Sequence, residues 1–187
     1  MTAVEVIWIG ARATGTASLV ALVLSVLSGM ALRSGALGWL SHNRGVRAVH
    51  DLTSVLWLPL ALAHVVALFL DPYAKLGLID LIVPFQVEYG RVAVGLGTIS
   101  LQLTLVIVLS TWLRRHLTHG GWLAIHRLSY LAFIGVFAHG LLAGTDFAQP
   151  LLAALAWLTV IVLAIVGIRR ATAARQSGAR SRTVAIP

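Results

Sequence analysis

Cysteine occurs nowhere in the 187 residues, and its absence excludes thiolate metal sites, iron–sulfur clusters, disulfides and thioether-attached haem. Acidic side chains are scarce: six Asp and Glu stand against fourteen Lys and Arg, for a formal net charge of +8. Charge of either sign makes up only 11% of the chain, whereas 59% is hydrophobic. A water-soluble core of this length cannot hide so much apolar surface, and the uncharged runs are long enough to cross a bilayer. The basic excess does not indicate nucleic acid, because the arginines stand at the ends of apolar runs and in the tail. Their placement reads as membrane topology.

Five apolar runs emerge, roughly Thr14–Leu32, Ala48–Leu70, Arg91–Leu113, Trp122–Leu142 and Leu151–Ile168, each near the length that a ~30 Å hydrocarbon layer requires. The expected fold is all-α, a polytopic membrane bundle of about five transmembrane helices. One membrane domain covers residues 1–170, and the small, polar, basic residues 171–187 are expected to form a disordered tail near anionic lipid. The first run is too long for a signal peptide, and Arg33 follows where a cleavage site would need small residues. Pro59 inside the second run is tolerable in lipid, where neighbouring helices can satisfy the freed carbonyl.

Arginine placement sets the expected orientation. Arg33, Arg44 and Arg47 occupy the first connection, Arg114 and Arg115 the third, and Arg169, Arg170, Arg175, Arg180 and Arg182 the tail. The second connection carries Asp71, Asp80 and Glu88 against Lys75, and the fourth has Asp146 and no basic residue. These sets alternate, which places the N-terminus outside and the C-terminus in the cytoplasm of a cell membrane. Trp112 and Trp122 on one side and Trp8, Tyr73 and Tyr89 on the other suit interfacial belts. The second connection also contains an apolar stretch, Leu76–Phe85, too short to span, which could lie over the outer end of the bundle as a cap.

Histidine is what these runs hold that lipid penalises. His50 and His64 lie fourteen positions apart in the second run, and His126 and His139 thirteen apart in the fourth. At ~1.5 Å per residue each pair spans ~20 Å along its helix. Both runs cross in the same direction, so depth pairs His50 with His126 near the cytoplasm and His64 with His139 near the exterior. Two imidazoles at each of two depths are what two stacked six-coordinate b-type haems need. Fourteen residues return His64 to within ~40° of His50, but thirteen leave His139 roughly 140° from His126 on an ideal helix. A tightened turn, a bend near Gly135, or two haems approaching from different sides would each accommodate that offset.

Other uses of these side chains stay open. A lone intramembrane histidine is often a helix–helix hydrogen bond. Zinc handling usually wants carboxylates or closely spaced ligands, and the runs offer only Asp51 beside His50. His42, His116 and His119 lie in arginine-rich connections and read as solvated surface. Countercharges for haem propionates could come from Arg47 and Arg127 at the inner level and Arg91 at the outer, although all three also fit ordinary interfacial roles. Gly140 and Gly144 form a small-xxx-small pair beside His139.

At these histidines the chain resembles the ferric reductase-like transmembrane domain, the haem core of NADPH oxidases, ferric reductases and the haem subunit of the periplasmic methionine sulfoxide reductase system. "AVHDLTSVLWLPLALAHVVALFL" and "WLAIHRLSYLAFIGVFAHGLLAGTD" are similar to the two ligand helices, and the resemblance runs from about Trp8 to Ile168. It implies two non-covalent b-type haems, with His50 and His126 on the inner iron and His64 and His139 on the outer. Relatives with a flavin and nicotinamide domain carry it after the last helix. Here no Gly-rich dinucleotide loop follows Ile168, so no intrinsic FAD or NAD(P)H site is expected and the donor must be separate.

The expected function is therefore electron relay across the membrane, as the membrane subunit of an oxidoreductase. A flavin reductase or quinol would donate, and an extracytoplasmic reductase, ferric chelate or oxygen would accept. The alternatives are a quinol-linked membrane oxidoreductase subunit and a haem-free metal-handling or scaffold membrane protein.

Overall fold

A backbone crossing lipid must satisfy its own N–H and C=O groups, and a chain without alternating strand patterns does so as helix. The computed structural model describes residues 1–33, 40, 42–88 and 90–183, so Tyr89 lies outside the described residues. Among the described residues six α-helices follow in order: α1 Ala3–Leu32, α2 Arg44–Leu70, α3 Arg91–Trp112, α4 His119–His126, α5 Ser129–Ala143 and α6 Pro150–Thr183. Five stretches are long and apolar enough to cross a membrane: Ala3–Leu32, Arg44–Leu70, Arg91–Trp112, His119–Ala143 and Pro150–Arg169. The protein is an all-helical, multi-pass membrane protein, and helix α2 passes unbroken through Pro59.

Two differences from the sequence reading have clear causes. Helix α1 begins at Ala3 rather than near Thr14, because Arg12 lowers the apolar score of a segment that is nonetheless helical. Its guanidinium lies 4.2 Å over the Trp8 ring, a contact that lets a half-buried cation sit against apolar surface. The fourth span is not one helix. Leu128 N–H bonds to the Ile125 carbonyl and Tyr130 N–H to the Arg127 carbonyl, so a tightened turn separates α4 from α5. The turn sits at Arg127–Leu128, between His126 and His139, rather than at Gly135.

The chain forms two compact units. The first takes Met1–Leu22 with Ser54–Thr145, and the second Val23–Thr53 with Asp146–Pro187. In the first, α3 turns a stripe of small residues towards α5: Ala93, Ser100 and Thr104 are buried along it. A Cβ on Gly135 of α5 would collide with the Ser100 hydroxyl, so the two backbones approach closely, as small residues allow in lipid. The buried hydroxyls of this stripe are satisfied within α3: Ser100 donates to the Leu96 carbonyl at 2.7 Å and Thr104 to the Ser100 carbonyl at 2.9 Å. Large apolar side chains point outward instead, among them Val55, Leu62, Val66 and Leu70 of α2 and Leu131 and Ile134 of α5. That inside-out polarity is what an acyl-chain solvent selects.

In the second unit, Met30 at the end of α1 lies near Gly167 of α6, 4.0 Å from where a Cβ would stand. Ser28 back-bonds to the Leu24 carbonyl and Thr53 to Val49.

The Gly135–Ser100 contact is testable. Gly135→Ala should lower stability by about 1–3 kcal/mol, read as a lower thermal unfolding temperature in detergent. Adding Ser100→Ala should restore most of the loss, since the Ser100 Cβ lies 3.5 Å from that position.

Candidate functional site: paired histidines seated on glycines

Three of the four intramembrane histidines are held in the same way. The Nδ1–H of His64 donates to the Ala11 carbonyl at 2.7 Å, that of His50 to the Ser25 carbonyl at 2.8 Å, and that of His139 to the Ala93 carbonyl at 2.7 Å. A carbonyl can only accept, so Nδ1 carries a proton in each ring, and in the neutral ring the lone pair is then on Nε2. Each acceptor is followed four residues later by glycine. A Cβ would stand 2.8 Å from the His64 ring at Gly15, 2.9 Å from the His50 ring at Gly29 and 2.9 Å from the His139 ring at Gly97. The missing side chain lets the imidazole lie against the helix and reach a carbonyl that the next turn would otherwise shield. Such an acceptor has a second lone pair, so it can serve both its helical N–H and the imidazole.

Sequence reading missed these glycines, yet the signal was there. Gly15 and Gly29 are fourteen residues apart, the spacing of His50 and His64 read in the opposite chain direction. Ala11–Gly15, Ser25–Gly29 and Ala93–Gly97 share one small-xxx-Gly pattern. Gly144, singled out with Gly140, ends α5, its N–H bonded to the Gly140 carbonyl at 2.8 Å.

His64 and His139 come together. Their ring centroids are 6.3 Å apart and their planes stand at 71°. With metal–nitrogen bonds of ~2.0 Å and a ring nitrogen about 1.1 Å from its centroid, two imidazoles gripping one metal from opposite sides would show centroids ~6.2 Å apart. A tetrahedral centre would draw them to ~5 Å. The observed spacing and tilt are those of an edge-to-face ring pair, and the spacing is also close to that of two imidazoles on opposite sides of one metal. Among the described residues no cluster of three His, Asp or Glu positioned to hold a metal ion occurs.

The other predicted residues are placed as follows. His126 ends α4, its ring stacked on Trp122 at 5.0 Å and 20°. Trp122 also carries the Arg114 guanidinium 4.4 Å over its ring and has His119 tilted at 6.1 Å. His50 sits in the second unit, seated on Gly29 as described. Arg127 is exposed beside His126, and Arg47 is exposed in the first turn of α2. Arg91 is the exposed first residue of α3, two positions before the Ala93 carbonyl that takes His139. His42, His116 and His119 are exposed, and His116 accepts from Arg115 Nε at 3.0 Å.

No protein-family model, curated protein or solved structure matches the chain.

The seating of the rings predicts their tautomers. Nitrogen-15 NMR of histidine-labelled protein should report Nδ1–H for His64 and His139. Gly97→Ala should erase that signature for His139 alone, with a stability loss of about 1–3 kcal/mol from the broken buried hydrogen bond.

Proposed function

We propose that the protein is a diheme b-type membrane cytochrome that relays electrons from a cytoplasmic or quinol donor to an extracytoplasmic acceptor. The His64–His139 pair carries this reading: two imidazoles on different helices with ring centroids 6.3 Å apart, each with its Nδ1–H held by a backbone carbonyl, would together hold one haem iron. For a second haem the sequence spacing offers His50, its Nδ1–H likewise held by a carbonyl, and His126. The resemblance to the ferric reductase-like transmembrane domain supports the same assignment through the matched histidine spacing. When bound, haem supplies reversible one-electron iron chemistry.

The chain's own residues would do three things. The carbonyls of Ala11, Ser25 and Ala93 fix ring orientation and tautomer, as partners behind a metal ligand generally do. Gly15, Gly29 and Gly97 give the rings room. Arg47 and Arg127 at one level and Arg91 at the other would neutralise propionates. Were histidines from two helices to hold each haem, the group would supply electron transfer rather than chemistry at the metal. The arginine-rich connections support a cytoplasmic side for the ends of the spans that carry His50 and His126.

Purified protein should show reducible Soret and alpha bands and a haem-to-protein ratio near two. Protein that stays colourless when expressed with ample haem would defeat the proposal and leave the haem-free metal-handling reading. His64→Ala or His139→Ala should each remove about half of the haem, and equal loss from both sites would count against pairing by depth. Near-perpendicular imidazole planes should give the site at His64 and His139 a strongly anisotropic low-spin ferric EPR signal. A rhombic signal typical of parallel planes at that site would contradict the geometry.

A further inference from the structure

The connection between α2 and α3 does not lie across the end of the bundle. Its 3-10 turn, Leu78–Leu81, runs along the flank of α3. The Thr98 hydroxyl donates to the Asp80 carbonyl at 2.9 Å, and the Gln102 amide donates to the Leu81 and Ile82 carbonyls at 3.0 and 2.8 Å. Thr98 and Gln102 stand seven and eleven residues after Arg91, which is ~10 and ~16 Å along the helix axis. A connection resting on the rim would meet the first turn of α3 instead.

The face of α3 used here is separate from the histidine site. Gly95, Thr98 and Gln102 lie roughly 140–200° around the helix from Ala93. Phe85 packs its ring onto Gly95, where a Cβ would collide with it. It does so from a left-handed backbone conformation, φ 66°, which a non-glycine residue rarely adopts. The returning limb is therefore anchored on α3 too.

We infer that Leu76–Phe85 is a re-entrant segment that dips into the membrane beside α3 and turns Leu78, Ile79 and Ile82 towards lipid acyl chains. These three side chains are 76%, 64% and 71% exposed, and the one charged residue of Leu76–Phe85 is Asp80, whose carboxylate folds back to accept the Gly77 N–H at 2.7 Å. Three carbonyls of irregular backbone receive donors from a spanning helix, a provision that water would make unnecessary and that hydrocarbon demands. Polar residues bracket the segment: exposed Tyr73 and Lys75 where the chain goes in, Glu88 and Arg91 where it comes out. They suit the head-group level. The inference does not depend on haem binding.

The absence of cysteine makes the test direct. Leu78→Cys, Ile79→Cys, Ile82→Cys and, as reference, Tyr73→Cys would each carry a nitroxide in full-length protein reconstituted into phosphatidylcholine–phosphatidylglycerol liposomes. EPR would compare collisions with oxygen, which concentrates in acyl chains, and with a water-soluble nickel chelate. The three apolar positions should favour oxygen, and Tyr73 should favour nickel. Nickel access at Ile79 and Ile82 equal to that at Tyr73 would overturn the inference, placing the segment above the membrane. Poor access to both reagents would also overturn it, by showing that protein covers the face. Adding Gln102→Leu to Ile79→Cys should shift the label towards nickel in protein that still elutes as a single species. An unchanged ratio would remove Gln102 as the anchor.

Discussion

An imidazole N–H donating to a helix carbonyl across a glycine is the interaction on which this bundle's polar interior depends. It recurs at His50, His64 and His139, each time with the acceptor four residues before the glycine. Each instance settles several things together. It pairs a polar side chain inside an apolar span, brings two helices to close range, selects one tautomer and leaves one ring nitrogen as a lone pair. A larger residue at any of the three glycines would disturb all of these.

The same economy governs α3. One of its faces is small enough for α5 to approach, through Ala93, Gly97, Ser100 and Thr104; the opposite face, through Gly95, Thr98 and Gln102, takes up an irregular segment. Hydroxyls on the first face bond within the helix and so do not compete for the histidine. Gln102 on the second is long enough to serve two carbonyls of another segment. Residue size and reach, more than hydrophobicity, decide what each face of a membrane helix can bind.

Much of this was legible from sequence, for reasons specific to each element. The five spans follow from run length, because lipid allows few alternatives, and the approach of His64 to His139 follows from counting depth along two parallel crossings. The extra turns of α1 were hidden because Arg12 breaks the apolar run, although its aliphatic stem and Trp8 accommodate the charge. The tightened turn at Arg127–Leu128 has no proline or glycine to announce it; it arises in a stretch of ordinary helix formers. The place of Leu76–Phe85 was not readable either, since an apolar stretch of that length reports its solvent and not its depth. Glycine spacing in α1 was the one available clue to the histidine seats, and it shows only when compared with the histidine spacing of the antiparallel partner.

The carbonyl that pulls on an Nδ1 proton pushes electron density through the ring to the far nitrogen, making that nitrogen a stronger base. An iron gripped by such donors is better stabilised with one electron fewer. In the proposed relay, the three carbonyls would therefore bias the iron held by His50, His64 and His139 towards its oxidised form, so that it would yield electrons readily and accept them only from a strong reductant.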